Sequence, residues 1–141
     1  SKGVPTAYSF GYGLSYTTFA VKQLKLNSNA FKDKLTATVT VMNTGKRPGK
    51  EVVQLYLSAP ATKIDKPRME LKGFIKTRLL RPGEAQTLSF TLFPEDLASF
   101  SEQNQAWVAD KGSYTVNIGN SSEHIMQRAS FVLNRQINIK P

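Results

Sequence analysis

Ten carboxyl groups and a single histidine are the acid/base candidates in this 141-residue chain, and none stands where proton-transfer chemistry needs it. Hydrolysis by two carboxyl groups requires an acid and a carboxylate facing each other across the scissile bond, with their pKa values pushed apart. Asp33, Glu51, Glu84, Asp110 and Glu123 instead flank turns, where carboxylates accept backbone hydrogen bonds or are solvated. Glu95 and Asp96 follow Pro94 at an expected helix start, where negative charge meets the positive end of the helix dipole. That structural role outweighs a catalytic dyad. His124 lies among Ser121, Ser122 and Glu123, and a triad cannot be built from adjacent residues because its members converge from separate elements. There is no nucleophile elbow, phosphate-binding loop or dinucleotide fingerprint. The absence of cysteine removes disulfides and thiol chemistry and leaves only His124 as a soft ligand for a zinc site. No catalytic residue, metal or cofactor is expected.

What remains is surface. Phe10-Gly11-Tyr12-Gly13-Leu14-Ser15-Tyr16-Thr17-Thr18-Phe19 packs two glycines and four aromatics into ten positions. It is too apolar for a free tail and too rich in glycine for a helix or a central strand. It reads as an arm that lies against something, with Phe10, Tyr12, Leu14, Tyr16 and Phe19 as the residues that dock. Tyr8, Tyr12, Tyr16 and Trp107 are also the aromatics that could stack on a sugar. For the arm, packing against a neighbouring domain is the stronger reading, since contiguous apolar patches mark interfaces.

The elements that must carry these residues are strands. Leu35, Ala37, Val39 and Val41 alternate with Thr36, Thr38 and Thr40, the pattern of a strand with one wet face. Asn43-Thr44-Gly45 and Pro48-Gly49 end it. Val53, Leu55 and Leu57 make a second strand that stops at Pro60, and Leu71 to Lys76 a third, weakened by Gly73. After the Arg81-Pro82-Gly83-Glu84 turn, Leu88, Phe90 and Leu92 share one face. Pro94 to Phe100 gives the single helical cue. Trp107 to Ala109 leads through Asp110-Lys111-Gly112 into Tyr114, Val116 and Ile118, and Ala129, Phe131 and Leu133 close the series. About seven short strands divided by turns predict an all-β, antiparallel sandwich of the immunoglobulin/fibronectin type, with residues 1–19 as the arm and 20–141 as the sandwich. Tyr114, just after a turn, is expected to form a tyrosine corner, and Trp107 to fill the space between the sheets.

The net charge is +9, and seven of the bases fall between Lys63 and Arg81. A solvated loop and a lysine-protected strand edge explain that cluster better than a nucleic-acid or acidic-glycan patch, because Asp65 and Glu70 interrupt it and no nucleic-acid motif accompanies it. No apolar run reaches the length of a membrane-spanning helix. Neither nucleic acid nor membrane is an expected partner. Ser1-Lys2-Gly3 reads as the start of a trimmed piece.

The order of the phrases resembles one family. Phe10 to Tyr16 is followed by Val41-Met42-Asn43-Thr44-Gly45, Gly49 to Leu57, Leu71-Lys72-Gly73-Phe74, Arg81-Pro82-Gly83-Glu84, Phe90-Thr91-Leu92, Gly112-Ser113-Tyr114-Thr115-Val116 and Gly119-Asn120-Ser121-Ser122. The chain is similar, from about Tyr8 to its last strand, to the C-terminal fibronectin type III-like domain of glycoside hydrolase family 3, the β-glucosidase and β-xylosidase family. The resemblance implies an accessory domain whose partners are the catalytic domains of the same polypeptide. Those domains supply the nucleophilic aspartate and the acid/base glutamate, so no catalytic residue carries over to this chain. It also implies a periplasmic or secreted setting. The rival expectation is a carbohydrate-binding module that holds its enzyme to a polysaccharide.

Overall fold

The alternation of apolar and polar residues becomes two antiparallel sheets that bury their apolar faces against each other. The structure, a computed structural model, describes residues 17–60 and 69–139. One sheet holds β1 (Phe19–Leu26), β2 (Leu35–Asn43) and β5 (Ala85–Leu92) in the order β1-β2-β5. The other holds β3 (Val52–Ser58), β4 (Met69–Lys76), β8 (Gly112–Ser121) and β9 (His124–Leu133) in the order β4-β3-β8-β9. The sandwich is the expected one, but its seventh strand is β1, which no alternation announced, and the expected strand at Trp107–Ala109 lies outside it. Between β5 and β8 the chain adds a single helical turn, α1 (Pro94–Leu97), and the short strands β6 (Ser99–Ser101) and β7 (Ala106–Ala109). The final β10 (Ile137–Ile139) pairs with β7, making a small third sheet in the order β10-β7-β6.

The core is the inward half of each alternation. Leu35, Ala37, Val39 and Val41 of β2 face Val53, Leu55 and Leu57 of β3 and Val116 and Ile118 of β8, and all are buried. Phe131 of β9 stacks on Tyr114, with ring centroids 5.4 Å apart, and meets Phe31 at 6.0 Å. In β1 the inward spacing is broken. The register slips between Lys22 and Lys25, Gln23 takes a positive φ of 61°, and Val21, Leu24 and Leu26 turn inward on either side of this bulge.

Trp107 departs from expectation. It is 45% exposed and lies in the small third sheet, not between the two large ones. Tyr114 and Phe131 are aromatics buried between the sheets, while the pairing of β7 with β6 and β10 carries Trp107 into the third sheet. Among the described residues no helix is long and apolar enough to cross a membrane.

The strand registers define two poles. Phe19 pairs with Asn43 and Met42 with Ala85, so the chain comes into the sandwich beside the turns 43–51, 77–84 and 121–124. Leu92 pairs with Leu35 at the other end, where the third sheet sits. Strands of eight to ten residues put about 25 Å between the two poles.

Candidate functional site

At the N-terminal pole the turn after β2 becomes a joint for the incoming chain. Asn43 is fully buried, and each of its polar atoms is paired. Its Oδ1 accepts from the Gly45 N–H at 2.9 Å and from the Thr17 hydroxyl at 3.0 Å. Its Nδ2 donates to the carbonyls of Arg47 at 2.8 Å and Leu80 at 2.9 Å. Its N–H donates to the Glu84 carbonyl, and its own carbonyl accepts from the Gly83 N–H. Thr44 donates its N–H to the Thr18 carbonyl, and the Thr18 and Thr44 hydroxyls lie 2.9 Å apart. Gly45 is required by contact, since a Cβ there would run into the Thr17 hydroxyl and the Thr18 amide. One side chain thus ties the incoming strand, its own turn and the turn before β5 into a single unit. The sequence showed Asn43-Thr44-Gly45 only as a turn; an asparagine two residues before glycine is the signal for the side-chain-to-backbone bond found here.

Four of the described acidic residues have structural roles. The Glu84 carboxyl is held below the usual carboxylate range by the Arg81 N–H, and the Arg78 guanidinium 3.3 Å away adds to the effect. Asp96 accepts the Phe93 N–H at 2.7 Å at the start of α1. Glu70 pairs with Lys72 at 3.1 Å. Asp110 contributes its backbone: the Tyr114 hydroxyl donates to its carbonyl at 2.6 Å, four residues upstream, which is the geometry of a tyrosine corner. Burial, helped by the charge of Asp110, pushes the Tyr114 phenol up to about 12.

Glu51 is the exception. It precedes β3 and loses solvent, which pushes its carboxyl above the usual range, although the Val52 N–H, the Asn120 side chain and the charge of His124 pull it back. His124 itself is exposed at the turn between β8 and β9. Among the described residues no three His, Asp or Glu groups gather where they could hold a metal ion.

At the distal pole the third sheet forms a shelf. Trp107 pairs with Phe100 on one side and with Ile139 on the other, so all three share a face. That face begins in the core at Ala109 and Ile137 and continues outward beyond it. The rings of Phe100 and Trp107 meet edge to face, with centroids 5.6 Å apart and planes at 70°. Beside them Glu95, Ala98, Trp107 and Ile139 line a shallow pocket of ≈ 220 Å³. The sequence marked Trp107 but missed Phe100 and Ile139, which no local pattern placed beside it.

Of the expected docking residues, Phe19 opens β1 and is partly buried against the core. Phe10, Tyr12, Leu14 and Tyr16 lie outside the described residues.

Two packed antiparallel sheets in the orders β1-β2-β5 and β4-β3-β8-β9, with a tyrosine corner opening β8, define a sandwich of the immunoglobulin/fibronectin class. Residues 51–122 match the fibronectin type III-like domain family. The chain belongs to that family, in the form carried by glycoside hydrolase family 3 β-glucosidases. It is 44% identical over 131 residues to β-glucosidase A of Butyrivibrio fibrisolvens, a match covering 81% of this chain and 16% of that protein. The structure of β-glucosidase 3B from Thermotoga neapolitana, solved with α-D-glucose, superposes with a TM-score of 0.83 at 45% identity. That match covers 99% of this chain and 19% of the other. A β-glucosidase from Kluyveromyces marxianus gives a TM-score of 0.79 at 39% identity, covering 93% and 16%. The chain therefore spans less than a fifth of the length of each of these proteins.

Proposed function

We propose that this sandwich is a non-catalytic accessory domain of a family 3 β-glucosidase, docked onto the catalytic domains of its own polypeptide and stabilising them. The observation that carries the proposal is the asymmetry of the match: 99% of this chain corresponds to 19% of a β-glucosidase. The removal of terminal β-D-glucosyl residues then belongs to the remaining length. The carboxylates described above support this division, since each is engaged in a turn, a cap or an ion pair, or stands apart from a second carboxyl group. The docking surface is assigned to the aromatic arm, Phe10, Tyr12, Leu14 and Tyr16, continued by Phe19 and the rigid N-terminal pole. Buried asparagines and tight turns suit such a joint because they fix the direction in which a neighbouring domain must lie.

The test has two arms. The isolated chain should leave a chromogenic β-glucoside uncleaved. The whole enzyme carrying Tyr12→Ala and Tyr16→Ala together should melt several degrees lower than its parent while this domain keeps its own fold. An unchanged melting temperature would remove the docking role, and hydrolysis by the isolated chain would remove the accessory one.

A further inference from the structure

From the distal shelf we infer a second surface role: a subsite that binds one ring of a neutral, glucose-like pyranoside against Trp107. Four observations carry it. First, the only tryptophan of the chain is nearly half exposed, and the pocket that adjoins it is mostly apolar. An indole face carries negative quadrupole potential, and a pyranose with equatorial hydroxyls presents a flat array of weakly positive C–H groups that fits such a face. Second, the Phe100 ring set against Trp107, together with the strand pairing of Trp107 to both neighbours, fixes the indole before any ligand arrives. Third, Glu95 lines the same pocket and makes no ion pair or side-chain hydrogen bond among the described residues, so its carboxylate is free to accept sugar hydroxyls in charge-assisted bonds. At ≈ 220 Å³ the pocket lies below the about 300–1,000 Å³ of drug-sized sites, which suits a single ring.

The fourth observation selects the ligand's charge. In a chain of net charge +9, the segment from α1 to the residue after β7, residues 94–110, contains Glu95, Asp96, Glu102 and Asp110 and not one Lys or Arg, and the first base after it is Lys111. Acidic glycans, phosphates and nucleic acids are therefore disfavoured beside Glu95, while neutral sugars are not. The turn between β6 and β7 adds the carboxamides of Gln103, Asn104 and Gln105, all exposed and uncharged. Position separates this surface from the docking surface. The chain comes in at Thr17 beside Asn43, and the shelf stands at the opposite end of the strands, about 25 Å away.

Trp107 reports directly on this proposal because no other tryptophan contributes to the emission. Titrating the full 141-residue chain with cellotetraose should produce a saturable change in its fluorescence, with a dissociation constant on the order of 1 mM. Glu95→Ala should weaken the binding about tenfold without unfolding the domain, since that side chain holds no structural bond. By calorimetry Trp107→Ala should abolish binding, Trp107→Tyr should retain a weakened form of it, and Leu79→Ala, at the other pole, should leave it unchanged. Tetragalacturonate should bind at least about tenfold more weakly than cellotetraose. A flat titration, equal binding by the Glu95→Ala variant, or an equal response to tetragalacturonate would each overturn the subsite.

Discussion

The two poles of the sandwich handle exposed chemistry in opposite ways. At the N-terminal pole, Asn43 is fully buried and every one of its hydrogen-bonding atoms is matched within the domain. At the distal pole, Trp107, Phe100 and Glu95 stand partly or wholly in solvent, with an aromatic face and a carboxylate unspent. A buried polar group must be satisfied because the penalty for leaving it unpaired exceeds the modest net gain of the bond. A half-exposed aromatic carries no such obligation, and it keeps its largest contact area available. The first arrangement makes a joint rigid, and the second leaves a surface that can still bind. A closed joint and an open surface thus sit at opposite ends of the same strands.

The comparison breaks most readily at Asn43. Asn43→Ala leaves the Gly45 amide and the Arg47 carbonyl without their side-chain partner and takes one of two donors from the Leu80 carbonyl, which keeps the Gly49 N–H. Stability should fall by about 2–3 kcal/mol, the cost of losing four side-chain hydrogen bonds at one turn, and the melting temperature by about 8 °C. Differential scanning calorimetry reads both. A loss below about 1 kcal/mol would mean that water replaces the side chain and that the joint is not closed.

Tyr114 comes next. Tyr114→Phe keeps the stacked contact with Phe131 and removes the bond to the Asp110 carbonyl, for an expected loss of about 1–2 kcal/mol. It also has an alkaline signature. The phenol titrates near 10 in an unfolded chain and at about 12 when folded. The folded state therefore holds the proton longer, so this group's contribution is intact below pH 10 and is lost as the pH rises toward 12. Urea unfolding between pH 9 and 11 should slope downward in the parent more than in the variant. Equal slopes would detach the corner from the alkaline response.

The legibility of these regions in the sequence follows from periodicity. β2, β3, β5, β8 and β9 announce themselves through period-two alternation bounded by turns, and they supply five of the seven strands of the two large sheets. β1 escaped because its bulge at Gln23 spaces Val21, Leu24 and Leu26 by three and then two residues, which matches neither a strand nor a helix. β6 and β10 are three residues each and carry no period at all. Tyr114 could be placed because its position after the Asp110-Lys111-Gly112 turn dictates its partner four residues upstream. Trp107 could not, because its exposure depends on β10, thirty residues later in the chain, folding back to pair with β7. Local rules describe what a residue's neighbours in sequence impose, and the shelf is made by residues distant in sequence.

Trp107→Ala sharpens the contrast from the other side. The edge-to-face pair with Phe100 contributes about 0.5–1.5 kcal/mol and the indole is already nearly half in solvent, so the expected cost is about 1 kcal/mol. Truncating a core aromatic such as Phe131 to alanine should instead cost about 3–5 kcal/mol. Equal losses at the two positions, read from denaturant midpoints, would make Trp107 a core residue in energetic terms and remove the reason for its availability.

The smallest expected effect lies at Glu51, the one group of the N-terminal pole that does not fit the pattern of full satisfaction. Burial raises its carboxyl pKa above the ordinary value, so in the folded domain ionisation is opposed more than in the unfolded chain. The native state then binds the proton more tightly, and stability from this group is complete below the ordinary pKa of 4.5 and declines as the pH rises through the raised value. Above that window the charged form persists at a constant small cost. Glu51→Gln keeps an acceptor for the Val52 N–H and removes the charge. It should gain less than about 1 kcal/mol at pH 7, gain nothing at pH 4, and flatten the slope between them. A variant that is less stable at pH 7 would show that the attraction of His124 and the bonds from Val52 and Asn120 outweigh desolvation. The N-terminal pole would then contain no uncompensated group at all, and the opposition between the two ends of the sandwich would be complete.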